Sequence, residues 1–203
     1  MTRAVLASAN PGKLREFAAL LAPFAVQLIP QAELGVRPAA ETGTTFVQNA
    51  LLKAHHAARH ARLPALADDS GLEVEALGGR PGVWSARFAG DAASDEDNLR
   101  HLLAELHDVP DEFRQARYQC VIVFVRSVGD QTPLIARGTW EGSIARVPRG
   151  HGGFGYDPVF VPGDEHRSAA ELSSVEKNAV SHRGKALRAL VAMLESGSYI
   201  RTP

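Results

Sequence analysis

Two adjacent aspartates, Asp68 and Asp69, follow the apolar run Leu63-Pro64-Ala65-Leu66-Ala67 and precede Ser70-Gly71. Their hard carboxylate oxygens suit magnesium, and a nearby carboxylate can take a proton from water. Side chains adjacent on an extended strand point to opposite faces, so the two acids need not bind the same ion. An Asx-type turn closing a strand explains the pair about as well. Glu41, in the loop Glu41-Thr42-Gly43, is a further metal-ligand candidate or a solvated loop acid.

Three other groups carry chemistry. Ser8-Ala9-Asn10-Pro11-Gly12-Lys13 puts a cap, a glycine and a lysine at the start of a helix after a strand. Backbone N–H groups at such an end, with the helix dipole and an ammonium, form a phosphate site. The spacing is not that of a Walker A loop, and a capped helix with a solvated lysine accounts for the same residues. Lys53 shares a helical face with Asn49 one turn earlier, making it a second phosphate lysine or a solvated one. On the same helix His56 and His60 have metal-pair spacing, but no His-Glu-x-x-His pattern or third ligand supports zinc.

The third group suits a flat base. Phe154 lies between Gly153 and Gly155, with Tyr156 and Asp157 following. An aromatic so placed can offer its face for stacking, or fold back on the core. Asp157 could accept from a ring N–H. Lys177, His182 and Arg183 are donors, and a donor-only edge favours a 6-oxo purine over adenine, whose amino group it leaves unpaired.

The elements that must hold these residues alternate between strand and helix. Arg3 to Ser8 reads as a buried strand, Pro11 to Leu21 as a helix capped by Asn10, and Ala25 to Ile29 as a second strand. Thr45 opens a helix to about Ala61, with Gln48 completing a capping box. Pro64 to Ala67 and Leu72 to Leu77 read as separate strands, putting the aspartates at a strand end. Ser94 caps a helix buried through Leu99, Leu102, Leu103 and Leu106. Arg117 to Val128 and Leu134 to Val147 form a hairpin at the sheet's centre. A glycine-rich loop from Arg149 to Pro158 leads to the short strand Val159 to Val161, and Ser181 precedes a last helix. The pattern is one α/β domain on a mixed sheet.

The bulk numbers exclude several classes. In 203 residues with a formal charge of -1 there is no global basic field for nucleic acid, so any anion site is local. No apolar run approaches a membrane span, and Met1-Thr2-Arg3 has no signal-peptide shape, which predicts a cytoplasmic protein with no membrane partner. Cys120, the single cysteine, lies in an apolar stretch and reads as core.

Taken together in order and spacing, these segments resemble the inosine triphosphate pyrophosphatase family. The match runs through Ser8 to Glu16, Glu41 to Phe46, Asn49 to Ala54, Ala67 to Leu72, Gly78 to Gly82, Gly152 to Pro158 and Ser181 to Leu187, nearly the whole chain. The resemblance implies a two-lobed single domain over residues 1–203, on a long mixed sheet with flanking helices and a central substrate cleft, and a homodimer. It implies hydrolysis of ITP, dITP and XTP to the monophosphate and pyrophosphate with magnesium. By position, Ser8, Ala9, Asn10, Pro11, Gly12, Lys13 and Lys53 would hold the triphosphate, with Ser70 also on the substrate. Asp69 would be the catalytic carboxylate, and Glu41, Asp68 and Asp69 would surround magnesium. Phe154, Gly155, Tyr156, Asp157, Lys177, His182 and Arg183 would hold the base.

The departures are mild: Ala40 stands where some relatives carry an acid, and Trp84 where relatives often have another aromatic. Two rivals remain open at this stage. One is a related pyrophosphatase for modified pyrimidine nucleotides, against which Phe154 and Ser181-His182-Arg183 speak. The other is a nucleotide-binding or RNA-binding module without catalysis, which would have no need of Asp68-Asp69.

Overall fold

The computed structural model describes residues 2–24 and 26–197; Ala25, the expected first residue of the second strand, lies outside them. The strands are β1 (Thr2–Leu6), β2 (Val26–Pro30), β3 (Ala65–Val74), β4 (Gln115–Val125), β5 (Leu134–Ile144) and β6 (Phe160–Pro162). The helices are α1 (Pro11–Leu21), α2 (Phe46–Ala61), α3 (Asp95–Glu105), α4 (Ser174–Val180) and α5 (His182–Ser196). Sheet order is β2-β1-β3-β4-β5-β6. β1 runs parallel to β2 and to β3, with Val5 opposite Ala65, whereas β5 and β6 are antiparallel, so the sheet is mixed. The fold is α/β with helices flanking the sheet. No helix of the described residues is long and apolar enough to cross a membrane.

The chain divides into two compact units: residues 1–69, 120–138 and 183–203, and residues 70–119 and 139–182. In the first unit, the period-2 alternation of strands sorts residues by parity. Ala4, Leu6, Leu66, Cys120, Ile122 and Phe124 face Phe17 and Leu21 of α1 and Leu187, Leu190 and Leu194 of α5. Val5, Ala7, Ala65, Ala67, Val121, Val123 and Val125 face the alanine stripe of α2, Ala50, Ala54, Ala57 and Ala58. Those small side chains let α2 lie close to the sheet, and each fully buried leucine or phenylalanine on the other face contributes roughly 1.5–3 kcal/mol. Cys120 is core as expected, and its burial pushes the thiol up to about 12.

The second unit packs Leu99, Leu102 and Leu106 of α3 and the C-cap that follows it against Leu72, Val74, Tyr118, Trp140 and Phe160. Ser94 caps α3 with a full capping box through Asp97.

Four expectations change. β3 is one continuous strand through Gly71, and Glu75–Leu77 is a 3-10 turn, so the aspartates sit in mid-strand. Their carboxylates find lysine partners, described below, and need no turn of their own backbone. Gln48 does not close a box on Thr45; its side chain accepts from Thr44 N and Thr44 Oγ1, while Thr45 Oγ1 accepts from Gln48 N. The hairpin strands end earlier, at Val125 and Ile144, and β3 and β4, not the hairpin pair, are central. Finally, α4 was not foreseen, although Ser173 and Glu176 form the capping box that announces it.

Candidate active site

The parity of β3 decides what each aspartate meets. Asp68 shares the face of Leu66 and therefore looks toward α1 and α5; Asp69 shares the face of Ala65 and Ala67 and looks toward α2. Lys13, in the first turn of α1, reaches Asp68 at 2.9 Å, and Arg183, at the start of α5, holds its Nε 3.5 Å from the same carboxylate. Arg183 also donates to Glu16 of α1. On the opposite face Lys53 of α2 lies 2.9 Å from Asp69 Oδ1 and 2.9 Å from Glu41 Oε1. Asn49, one turn earlier, donates to Asp69 Oδ2 at 3.2 Å.

The two carboxylates differ electrostatically as well. For Asp68, burial works to raise the pKa, but Lys13, Arg183 and Lys53 outweigh it and hold the carboxyl well below the ordinary range. For Asp69 burial prevails over Lys53 and Lys13, and its carboxyl is raised above the ordinary value. Burial works to lower the pKa of Lys53, yet Asp69, Asp68 and Glu41 together raise it. The two directions are compatible, because the ammonium answers to three acids whereas the second oxygen of Asp69 meets a neutral amide. Asp68 is thus held ionised by the cations around it, and Asp69 is the more readily protonated of the two.

The turn before α1 carries the cap that the sequence announces. Asn10 Oδ1 accepts from Gly12 N at 2.8 Å and from Lys13 N at 3.1 Å, Leu14 N bonds the Asn10 carbonyl, and Pro11 has no N–H. Asn10 N itself donates to Ser8 Oγ at 3.2 Å. The N–H groups expected to await phosphate are therefore already capped, and an anion there must share or displace the Asn10 side chain. Ala9, Asn10 and Pro11 are exposed at this end, and Ser70 is half-buried in β3 directly after Asp69.

In the second unit the glycine-rich loop is organised by Asp157. Its Oδ2 accepts from Lys177 Nζ at 2.7 Å and from Phe154 N at 2.8 Å. A Cβ at Gly153, which has φ +73°, would fall 2.0 Å from that oxygen, so only glycine lets the loop close around the carboxylate. Lys177 Nζ lies 4.9 Å from the centroid of the Phe154 ring, a cation–π contact. Gly155 N donates to Asp95 Oδ2 and Tyr156 Oη donates to the Ser85 carbonyl, each at 2.8 Å. His182, buried, stacks on Tyr118 with ring centroids 4.6 Å apart and planes 9° from parallel, and Trp140 lies 6.3 Å away.

Three contacts add to the sequence reading. Asp157 Oδ2 serves Lys177 of α4 and the loop's own Phe154 amide. Arg183 pairs with Asp68 and Glu16. Glu41 and Asp69 converge on one lysine while Asp68 faces the other way, and among the described residues no three acidic, histidine or cysteine side chains gather as a metal-ligand set. His56 and His60 do touch, with ring centroids 4.4 Å apart, and His56 Nε2 lies 2.9 Å from the Arg37 carbonyl. Sequence reasoning missed Glu16, Tyr118 and Trp140. Only Glu16 had a signal, since it lies within the first matched segment.

Comparison with known proteins shows the family. Residues 4–193 match the model of the Ham1 family. The chain is 54% identical over 197 residues to the dITP/XTP pyrophosphatase of Shigella flexneri, covering 97% of this chain and 100% of that protein. It is 53% identical over the same length to the dITP/XTP pyrophosphatase of Escherichia coli strain K12, with the same coverage. A solved HAM1 protein from Coxiella burnetii superimposes with a TM-score of 0.89 at 49% identity, covering 97% of this chain and 100% of that one. The resemblance read from the motifs thus holds along nearly the full length, and the chain belongs to the Ham1 family.

Proposed function

We propose that this chain is a magnesium-dependent pyrophosphatase that hydrolyses ITP, dITP and XTP to the nucleoside monophosphate and pyrophosphate, clearing non-standard purines before they enter DNA or RNA. The observation that carries the reading is Asp69, a buried carboxylate of raised pKa held between the Lys53 ammonium and the Asn49 amide. The relatives named dITP/XTP pyrophosphatase support the substrate class.

In the proposed reaction Asp69 takes a proton from water as the water oxygen bonds to phosphorus. The bond between that phosphorus and the oxygen bridging the α- and β-phosphorus breaks, and its electron pair stays on the leaving phosphate group, giving monophosphate and pyrophosphate from attack at either phosphorus. Lys53 and Lys13 offset the negative charge that grows on the phosphate oxygens. The donor set fits magnesium: Glu41 Oε1 and Asp69 Oδ1 each lie 2.9 Å from Lys53 Nζ, so two hard oxygens already converge on a cation. Magnesium typically takes one or two protein carboxylates and completes its shell with phosphate oxygens and water. When bound, it would supply further neutralisation of the phosphates. Asp68 would neutralise Lys13 and Arg183 between substrates.

Recognition of the base falls to Phe154 as stacking face and to Lys177 and His182 as donors toward a 6-oxo edge. We further propose a cytoplasmic homodimer, to be checked by light scattering on the purified protein. The test of function is pyrophosphate release from ITP, dITP, XTP, GTP, ATP and dUTP with and without magnesium. Strong release from the first three only, and only with magnesium, is expected; activity confined to ATP or dUTP would overturn the reading.

A further inference from the structure

Asn49 is fully buried, so its amide must find partners for both a donor and an acceptor end. Oδ1 accepts from Gly43 N at 2.8 Å, and Nδ2 donates to Asp69 Oδ2 at 3.2 Å. Turning the amide over would set oxygen against carboxylate and NH₂ against N–H, so the partners fix its orientation. Asp69 Oδ1 takes Lys53, and the same ammonium takes Glu41, two residues before Gly43. The contacts close a ring: Asn49 to Asp69, Asp69 to Lys53, Lys53 to Glu41, and from Glu41 along the loop to Gly43 and back to Asn49.

The loop could not come this near with any other residue. A Cβ on Gly43 would lie 2.7 Å from Asn49 Oδ1 and 2.7 Å from Gln48 Cβ. Gly43 therefore permits the approach and Asn49 holds it.

We propose that Asn49 is a positioning residue that sets the distance between the carboxylates of Asp69 and Glu41, by holding Asp69 directly and Glu41 through the Gly43 backbone. It acts through those two acids and need not touch substrate. Lys53 alone cannot do this, because a flexible ammonium fixes no direction at either carboxylate, whereas a planar amide fixes one at each end. The inference rests on the reading of Asp69 as the catalytic carboxylate.

Three variants test it. Asn49→Leu removes both bonds at similar volume; Asn49→Asp keeps the acceptor for Gly43 and loses the donor to Asp69; Gly43→Ala pushes the loop away while leaving Asn49 intact. The expected result with ITP is a fall in kcat of about 100-fold for both Asn49 variants and about tenfold for Gly43→Ala, with KM within about threefold, as misplacement by roughly an ångström predicts. Gly43→Ala should cost little more in the Asn49→Leu background, since both break one linkage. A second readout needs no turnover: in the metal-free protein, hydrogen exchange at Gly43 N–H should quicken at least about tenfold in Asn49→Leu and stay slow in Asn49→Asp. Folded Asn49 variants with kcat within about threefold of wild type, losses confined to KM, or unchanged Gly43 exchange in Asn49→Leu would each overturn the proposal. If the Asn49 variants do not fold, unaltered kcat in Gly43→Ala overturns it. Activity retained by Asp69→Asn would instead remove the reading on which it rests.

Discussion

The two constellations are built by opposite means. In the first unit, Asp68 and Asp69 sit on one strand, their partners Lys13, Lys53 and Asn49 on two helices, and the positions follow from strand alternation and helical spacing. In the second unit, Phe154 and Asp157 lie in a glycine-rich loop, held by backbone amides, a buried lysine and stacked rings. The first concentrates charge and splits the pKa values of two neighbours; the second pairs its one buried acid with its one buried ammonium and presents an aromatic face. Reaction chemistry needs charges held on stiff elements to within a fraction of an ångström, and recognition of a flat ring needs a shaped surface with a few directed donors.

The contrast can be broken hardest at Asp69. Asp69→Asn should lose about 10³-fold in kcat for ITP, the scale of a positioned general base, with the fold retained by circular dichroism. Turnover within about tenfold of wild type would move the chemistry elsewhere. Asp68→Asn, on the opposite face of the same strand, should act first on stability, because removing one partner of a buried ion pair costs about 3–5 kcal/mol. Its pH dependence sharpens the point. The folded pKa of Asp68 is depressed, so its contribution is complete above the unfolded value of about 3.9 and is lost as pH falls from there toward the folded value. Urea unfolding should show the gap between wild type and Asp68→Asn constant from about pH 7 to 5 and narrowing below about pH 4. A gap that widens in acid would contradict the assignment.

Lys13→Ala should raise KM for ITP roughly 10- to 100-fold, as loss of a charge-assisted hydrogen bond predicts, and leave the ITP-over-ATP preference intact. A collapsed preference with unchanged KM would erase the division between the two regions. The smallest effect belongs to the second unit: Phe154→Ala should lower kcat/KM for ITP about tenfold by loss of stacking. Release from inorganic tripolyphosphate, which has no base, should be unaffected by that variant. Equal losses on both substrates would show that Phe154 serves the loop and not the ring.

Much of the first constellation was legible, because its logic is local. Asn10 with Pro11 announced α1, Thr45 announced α2, and the four-residue step from Asn49 to Lys53 foretold that both reach one place. The period of two warned that Asp68 and Asp69 part company. The pairing of Arg183 with Glu16 and Asp68 was not legible, because both lie more than a hundred residues away in the chain. The stack of Tyr118 and Trp140 on His182 was invisible as well, because it joins strands and a helix far apart in the chain.

By itself, then, the order of residues determined the helix starts, the strand parity and the family, since caps, alternation and motif spacing are short-range properties of the chain. Only the tertiary structure decided that Asp69 is raised and Asp68 depressed, because burial and the cations on each face are supplied by α1, α2 and α5 once they pack on the sheet. It alone showed that Asn49 ties Gly43 to Asp69. A hydrogen bond reports a distance between atoms, and across twenty residues of intervening chain no local pattern encodes that distance.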